Sequence, residues 1–122
     1  MKRADWRENS TAYSPSGRGV IGWLEDTLAP FLERHPGPIA MLHIDTDTYT
    51  PCKLALTLCR DRFVDGSIIV FDEHHGYPNW QNGEFKALNE VLRLDEYSYV
   101  AFATQQALLR IARPLSDPVS AP

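Results

Sequence analysis

The sequence has few of the residues that would indicate a secreted, membrane-bound or zinc-binding protein. Only two of its 122 residues are cysteines, Cys52 and Cys59, too few for a disulfide framework or a four-cysteine zinc site. No apolar run approaches the roughly 20 residues that a membrane-spanning helix needs. The basic residues near the start have no apolar stretch behind them, so we also expect no secretory signal. These absences predict a cytoplasmic protein with reduced thiols.

Positive charge is also scarce. The chain carries 12 lysines and arginines against 16 aspartates and glutamates, a net charge of −4, which argues against a nucleic-acid partner or an acidic membrane surface. The length suits one domain, and a composition that is 43% hydrophobic and 23% charged is typical of globular proteins.

Hydrophobic periodicity divides the chain into an arm, a domain and a tail. We predict an irregular arm over residues 1–19, a partial α/β domain over 20–113 and a disordered tail over 114–122. The predicted elements are a helix over 21–34, a strand over 39–45, a helix capped by Thr50 with Pro51 in its first position, a turn at Asp65–Gly66, a strand over 67–72, a helix over 83–94, and hairpin strands over 97–103 and 107–112. This order predicts a parallel sheet with helices on its faces and a C-terminal β-hairpin.

Acidic residues follow both predicted parallel strands. Asp45 and Asp47 come after the first strand, and Asp72 and Glu73 end the second. Neighbouring parallel strands lie about 5 Å apart, so Asp45, Asp72 and Glu73 should converge at the edge where such sheets bind ligands. Carboxylates this close need a cation, and we predict Mg²⁺. Alternatively, the first pair only caps the next helix and the second forms a solvated turn.

Histidines and aromatic residues near these acids allow more than one interpretation. We expect His43, inside an apolar strand, to be a neutral core residue outside the site. His75 lies in the following loop and is a candidate catalytic base or hydrogen-bond donor. Tyr77, Pro78 and Trp80 either form an apolar wall over a substrate or pack the loop onto the following helix.

Four segments, in order and with consistent spacing, resemble the macrocin O-methyltransferase family: residues 22–28, 42–49, 70–73 and 83–87. These are class I enzymes that use S-adenosylmethionine and are related in design to catechol O-methyltransferase. The resemblance runs from about residue 20 to residue 111. It implies a Rossmann-like methyltransferase sheet and Mg²⁺-assisted methyl transfer to a hydroxyl of a small molecule or sugar.

The resemblance also implies roles for individual residues. Asp45, Asp72 and Glu73 match the magnesium ligands, although the family commonly has a second Asp at the position of Glu73. Asp45 would be both a ligand and the general base. Gly22 and Trp23 match the segment near the adenine of S-adenosylmethionine.

The sequence departs from the family at the cofactor site. The glycine-rich turn after the first strand and the acid that binds the ribose have no counterpart, and Gly17-Arg18-Gly19 imitates that turn only weakly. The chain therefore looks like the C-terminal half of a methyltransferase. In the family the strand at 39–44 is interior, so we expect this chain to self-associate through that open edge.

Two other functions remain open at this point. One is a non-catalytic half-domain that binds a metal or a partner. The other is a phosphatase of the haloacid-dehalogenase type, because Asp45-Thr46-Asp47-Thr48 follows an apolar strand and is comparable to the Asp-x-Asp-x-Thr signature.

Overall fold

The computed structural model describes residues 19–112, which belong to two compact units divided after Pro36. The described part of the first unit contains helix α1 (Leu24–Arg34). The second unit contains β1 (Ile39–Ile44), α2 (Tyr49–Cys59), β2 (Phe63–Phe71), α3 (Glu84–Val91), β3 (Tyr97–Phe102) and β4 (Ala107–Ile111). The predicted arm, apart from its last residue, and the predicted tail lie outside the described residues. No helix in the described range is long and apolar enough to cross a membrane.

The four strands form one mixed sheet in the order β1-β2-β4-β3. Strand β1 pairs in parallel with β2, and β4 runs antiparallel to both β2 and β3. The predicted α/β fold, with two parallel strands and a C-terminal hairpin, is therefore confirmed. The parallel register aligns Ile44 with Phe71, so β1 and β2 end side by side.

The turn predicted at Asp65–Gly66 is wrong, because these residues lie inside β2. Ile39 of β1 pairs with Phe63 of β2, but Met41, two residues later, pairs with Ile68. The extra residues of β2 between these two pairs form an irregular bulge. Gly66 adopts φ +88°, a conformation that glycine tolerates best. The Ser67 hydroxyl accepts from Val64 N at 2.8 Å and donates to Ile39 O at 2.6 Å, which bridges the bulge to β1. The strand thus begins four residues before the predicted position.

Helix α2 begins before the predicted cap. Thr48, not Thr50, is the N-cap residue, and Pro51 lies in the first turn rather than at its first position. Proline is tolerated there because the first N–H groups of a helix have no partner within the helix. The other predicted ends are within three residues of those observed: α1 begins at Leu24, α3 ends at Val91, β3 ends at Phe102 and β4 ends at Ile111.

The core of the second unit lies between the sheet and the packed pair α2 and α3. Both cysteines are free and buried on α2. The largest fully buried apolar side chains come from both layers: Leu56, Phe63, Ile69, Phe71, Leu88, Leu92, Leu109 and Ile111. Arg60 and Glu96 form a buried ion pair, with Nη2 2.8 Å from Oε2, which joins the end of α2 to the start of β3.

Candidate functional site

Two acidic loops lie side by side where β1 and β2 end. The first acidic loop is residues 45–48 and the second is residues 72–75. Asp72 N donates to Ile44 O at 2.9 Å, which continues the parallel pairing beyond the last strand residues. This bond brings the residues after Ile44 next to those after Phe71, as expected from the parallel register.

Carboxyl groups of the two loops meet in pairs. Asp45 lies near Asp72, and burial together with the Asp72 charge raises the pKa of Asp45. Glu73 is paired in the same way with Asp47, and burial together with the Asp47 charge raises the pKa of Glu73. Among residues 19–112, however, no three His, Cys, Asp or Glu side chains are grouped to hold a metal ion. The three-ligand magnesium site therefore stays a prediction.

Asp47 also has an unusual backbone conformation. Its φ is +65°, which non-glycine residues other than Asp and Asn rarely adopt. This conformation belongs to the first acidic loop, directly before helix α2. Such local strain is frequent at functional sites.

Glu84, the first residue of α3, connects both acidic loops. Its carboxylate accepts a hydrogen bond from the backbone N–H of Glu73, 3.0 Å from Oε1. The Thr46 hydroxyl also approaches Oε2 at 3.5 Å. Glu84 is completely buried, and this burial raises its pKa to about 7.

The β3–β4 loop supports the second acidic loop from its other side. Gln106 Nε2 donates to Asp72 Oδ1 at 2.8 Å, and Gln105 O accepts from His74 N at 2.7 Å and from His75 N at 3.3 Å. Gly76 allows this approach, because a Cβ there would lie 2.7 Å from Thr104 O. The hairpin therefore fixes the loop that carries Asp72.

The expectation that His43 is a core residue is wrong. Its side chain is 49% exposed, and its Nε2 lies 3.9 Å from Asp72 Oδ1. The reason is topological: β1 pairs only with β2 among the described strands, so a side chain on β1 is less covered than in an interior strand. His43 consequently adjoins the Asp45–Asp72 pair.

The two loop histidines have different environments. His74 is buried against Phe71, Phe85 and Tyr99; its Nε2 lies 2.6 Å from the Tyr99 hydroxyl, and burial lowers its pKa to about 4. His75 is half-buried, and its Nε2 is 3.2 Å from Gln106 O. Because a carbonyl only accepts, Nε2 of His75 is the donor and Nδ1 is the atom left to act as a base.

A shallow, open pocket of about 190 Å³ adjoins the acidic loops. It is lined by residues of the first acidic loop, the start of α2 and the loop before α3: Asp47, Thr48, Tyr49, Tyr77, Pro78, Asn79, Asn82 and Gly83. Tyr77 and Pro78 therefore line a cavity, whereas Trp80 packs on Phe85 at a ring distance of 4.9 Å. The packing interpretation is thus observed for Trp80, whereas a wall over a substrate formed by Tyr77 and Pro78 stays a prediction.

The predicted cofactor residues belong to the first unit. Gly22 has φ +141°, and a Cβ there would lie 2.9 Å from Thr27 Cγ2. Trp23 is the half-buried N-cap residue of α1, and its carbonyl accepts hydrogen bonds from Asp26 N and Thr27 N. Their role in cofactor binding stays a prediction.

Sequence reasoning missed Glu84 and Gln106. Glu84 stands at a helix start, where acidic residues are common because of the helix dipole, so its type gave no distinctive signal. Gln106 lies in a hairpin loop that looked like an ordinary connection. Both act through contacts with residues distant in the sequence, which only the folded topology brings together.

Comparison with known proteins connects this geometry to one enzyme class. No protein-family model matches the chain, and no curated protein does. Among solved structures, the apo structure of CalS11, a TDP-rhamnose 3'-O-methyltransferase of calicheamicin biosynthesis, is 34% identical with a TM-score of 0.66. A second crystal structure, of CalS11 as a calicheamicin methyltransferase, gives the same values.

Each match covers 75% of this chain, but the chain spans only 39% and 36% of these two structures. The predicted resemblance to a class I methyltransferase is therefore confirmed for part of such an enzyme, while a macrocin-like specificity is not. In fold and at 34% sequence identity, the chain is similar to these methyltransferases, and it spans about two fifths of their length.

Proposed function

We propose that this chain carries the metal- and acceptor-binding edge of an O-methyltransferase that uses S-adenosylmethionine and methylates a hydroxyl of a small molecule or sugar. The observation that carries this proposal is the meeting of Asp45 and Asp72 at the ends of two neighbouring parallel strands. Sheets of this type bind ligands at that edge. The O-methyltransferase neighbours support the reaction class.

The chemistry of the acidic loops fits Mg²⁺. The donors are carboxylate oxygens, which hard divalent cations prefer, and such an ion would offset the mutual repulsion of the acids gathered here. Asp45, Asp72 and Glu73 would hold the ion. A bound Mg²⁺ would favour deprotonation of an acceptor hydroxyl and orient it for transfer.

Side chains of this chain would accept the proton, position the ligands and contact the acceptor. Asp45 is the proposed proton acceptor, and Gln106 holds the neighbouring Asp72 carboxylate in place. His75 is a second candidate base through Nδ1. Tyr77 and Pro78 would contact the acceptor from the adjoining pocket.

S-adenosylmethionine would supply the methyl group. Gly22 and Trp23 would contact its adenine, since an aromatic ring of the Trp23 type suits stacking on a purine. The lack of a glycine-rich turn in the sequence leaves these as the residues that this chain itself offers to the cofactor.

Calorimetry with Mg²⁺ tests the proposal directly. Asp45→Asn removes one ligand charge and should weaken Mg²⁺ binding about ten-fold, which is about 1.4 kcal/mol. Asp95→Asn is the matched control, because it removes the same charge from an exposed surface pair with Arg93. Unchanged Mg²⁺ affinity in Asp45→Asn would contradict the metal assignment.

Titration with S-adenosylmethionine, followed by a methyl-transfer assay with TDP-rhamnose as a probe acceptor, tests the reaction. Binding of the cofactor and Mg²⁺-dependent transfer would support it. Mg²⁺ binding without cofactor binding would instead support the second candidate, a non-catalytic half-domain that binds a metal or a partner.

The phosphatase alternative has less support. Counting from Asp45 in the signature Asp-x-Asp-x-Thr, the threonine position is occupied by Tyr49. The comparison structures are methyltransferases. Turnover of a phosphate ester would be required to restore that alternative.

A further inference from the structure

We infer that Glu84 is a positioning residue that fixes the two acidic loops relative to each other and so sets the geometry of their carboxylates. The metal-affinity part of this inference rests on the proposed function, whereas the loop geometry stands without it. Glu84 itself is no metal ligand in this inference, because its oxygens contact the Glu73 N–H and the Thr46 hydroxyl.

The first argument is the position of the two donors. Thr46 directly follows Asp45, and Glu73 directly follows Asp72. The Glu84 carboxylate accepts from the backbone N–H of Glu73 at 3.0 Å and lies 3.5 Å from the Thr46 hydroxyl. One side chain therefore holds the residue beside each member of the Asp45–Asp72 pair.

The second argument is the cost of keeping this carboxylate where it is. Glu84 is completely buried and lies near the charges of Glu73 and Asp45, an unfavourable place for an acid. The start of α3 partly compensates, because a helix N-terminus favours negative charge. An apolar residue would fill this core position without an ionisable group, so the acid is explained by the two loop residues it contacts, Thr46 and Glu73.

The third argument is the separation of elements. The two acidic loops belong to β1 and β2, and Glu84 comes from α3, so the contact connects three elements at one point. Outer groups of this kind orient ligands of metal sites, and their loss usually lowers metal affinity.

Two substitutions separate positioning from simple charge. Glu84→Gln removes the charge but keeps one acceptor oxygen, while Glu84→Ala removes both acceptors. Asp95→Asn again serves as the control for a lost surface charge. If Glu84→Ala does not fold, Glu84→Asp replaces it, because the shorter side chain withdraws the carboxylate from both donors.

The first measurement is amide hydrogen exchange of Thr46 and Glu73 by NMR. We expect both amides to exchange faster in Glu84→Ala, less so in Glu84→Gln, and unchanged in Asp95→Asn. Unchanged exchange in Glu84→Ala would overturn the inference. This readout needs no metal, so it remains decisive even if wild type does not bind Mg²⁺ and the proposed metal site fails.

The second measurement is Mg²⁺ affinity of the folded variants by calorimetry. We expect Glu84→Ala to bind roughly 10- to 100-fold more weakly than wild type, as is typical when an outer group of a metal site is lost. The Mg²⁺ affinity of Glu84→Gln should lie between those of wild type and Glu84→Ala. Equal losses in both variants would show that charge alone matters, and no loss in folded Glu84→Ala would show a purely structural role; either result overturns the inference.

Discussion

Gln106 and Asp72 are joined by a hydrogen bond of 2.8 Å, from the amide Nε2 of the first to the carboxylate Oδ1 of the second. Gln106 belongs to the β3–β4 loop and Asp72 to the second acidic loop, so the bond connects the hairpin to the proposed metal ligands. It lies at an exposed position, where a hydrogen bond contributes little to stability but still limits the orientation of the carboxylate.

Replacing Gln106 should therefore affect binding more than folding. We expect Gln106→Ala to change the free energy of unfolding by no more than about 0.5 kcal/mol. Mg²⁺ affinity, measured by calorimetry, should fall roughly ten-fold because the carboxylate loses its orienting donor. Gln105→Ala is the matched control, since Gln105 contacts the second acidic loop through its backbone carbonyl. Equal affinities in both variants would contradict this role.

The buried Arg60–Glu96 pair should contribute strongly to stability when only one partner is removed. Arg60 also donates to Val91 O at 3.2 Å, and Glu96 accepts from Arg93 N at 2.7 Å, so both charges are well hydrogen-bonded. We expect Arg60→Ala to lower the free energy of unfolding by about 3–5 kcal/mol, because Glu96 is left buried without its cation. Urea denaturation measures this, with Asp95→Ala at the exposed Arg93–Asp95 pair as control. Similar losses in both variants would refute the argument.

His74 should make stability depend on pH. Burial lowers its pKa to about 4, whereas an unfolded chain has a histidine pKa of about 6.5. Between these values the unfolded chain binds a proton that the native chain does not, so the free energy of unfolding falls as the pH falls from about 6.5 to 4.

His74→Phe should remove this dependence, since the ring already packs among Phe71, Phe85 and Tyr99. From about pH 7 to pH 5, wild type should lose about 1–2 kcal/mol more stability than the variant. Urea unfolding at both pH values measures this difference, in which groups common to both proteins cancel. Equal losses would show that His74 titrates normally in the native state.

Strand β1 should mediate self-association. It pairs only with β2 among the described strands, Met41 on it is 60% exposed, and no Lys or Pro interrupts residues 39–44. Unprotected edges of this kind pair with other chains. We expect light scattering of the full chain to show concentration-dependent association that Met41→Lys reduces. Leu94→Lys, at a residue that is 78% exposed but outside the sheet, should have no effect. A monodisperse wild-type monomer would contradict this prediction.

The sequence predicted those parts of the fold that depend on local pattern. The apolar run predicted β1 over 39–45, one residue longer than the observed strand, although most of β1 is not buried as such apolar runs usually are. The proximity of the acids that follow the two strands was predicted from the rule that neighbouring parallel strands end at one edge of the sheet. The prediction of a turn at Asp65–Gly66 was wrong because bulges and turns favour the same residue types, glycine among them. Only the pairing with β1 distinguishes a bulge from a turn here.

The candidate site was predictable only in its strand-end residues. The roles of Glu84 and Gln106 depend on contacts with loops far along the chain, for which a single sequence carries no signal. His43 was misplaced for the opposite reason: its apolar neighbours indicate a buried strand, whereas its exposure is decided by how many strands flank β1.

The position of β4 between β2 and β3 has a consequence for how the protein is made. Ile68–Phe71 of β2 pair with Ala107–Arg110, the last strand of the described sheet to be synthesised. During translation one edge of β2 therefore stays unpaired until the hairpin has emerged from the ribosome. Until then the second acidic loop also lacks its contact with Gln106. The acidic edge thus forms late in biosynthesis, and a nascent chain stalled before the hairpin exposes β2 to aggregation.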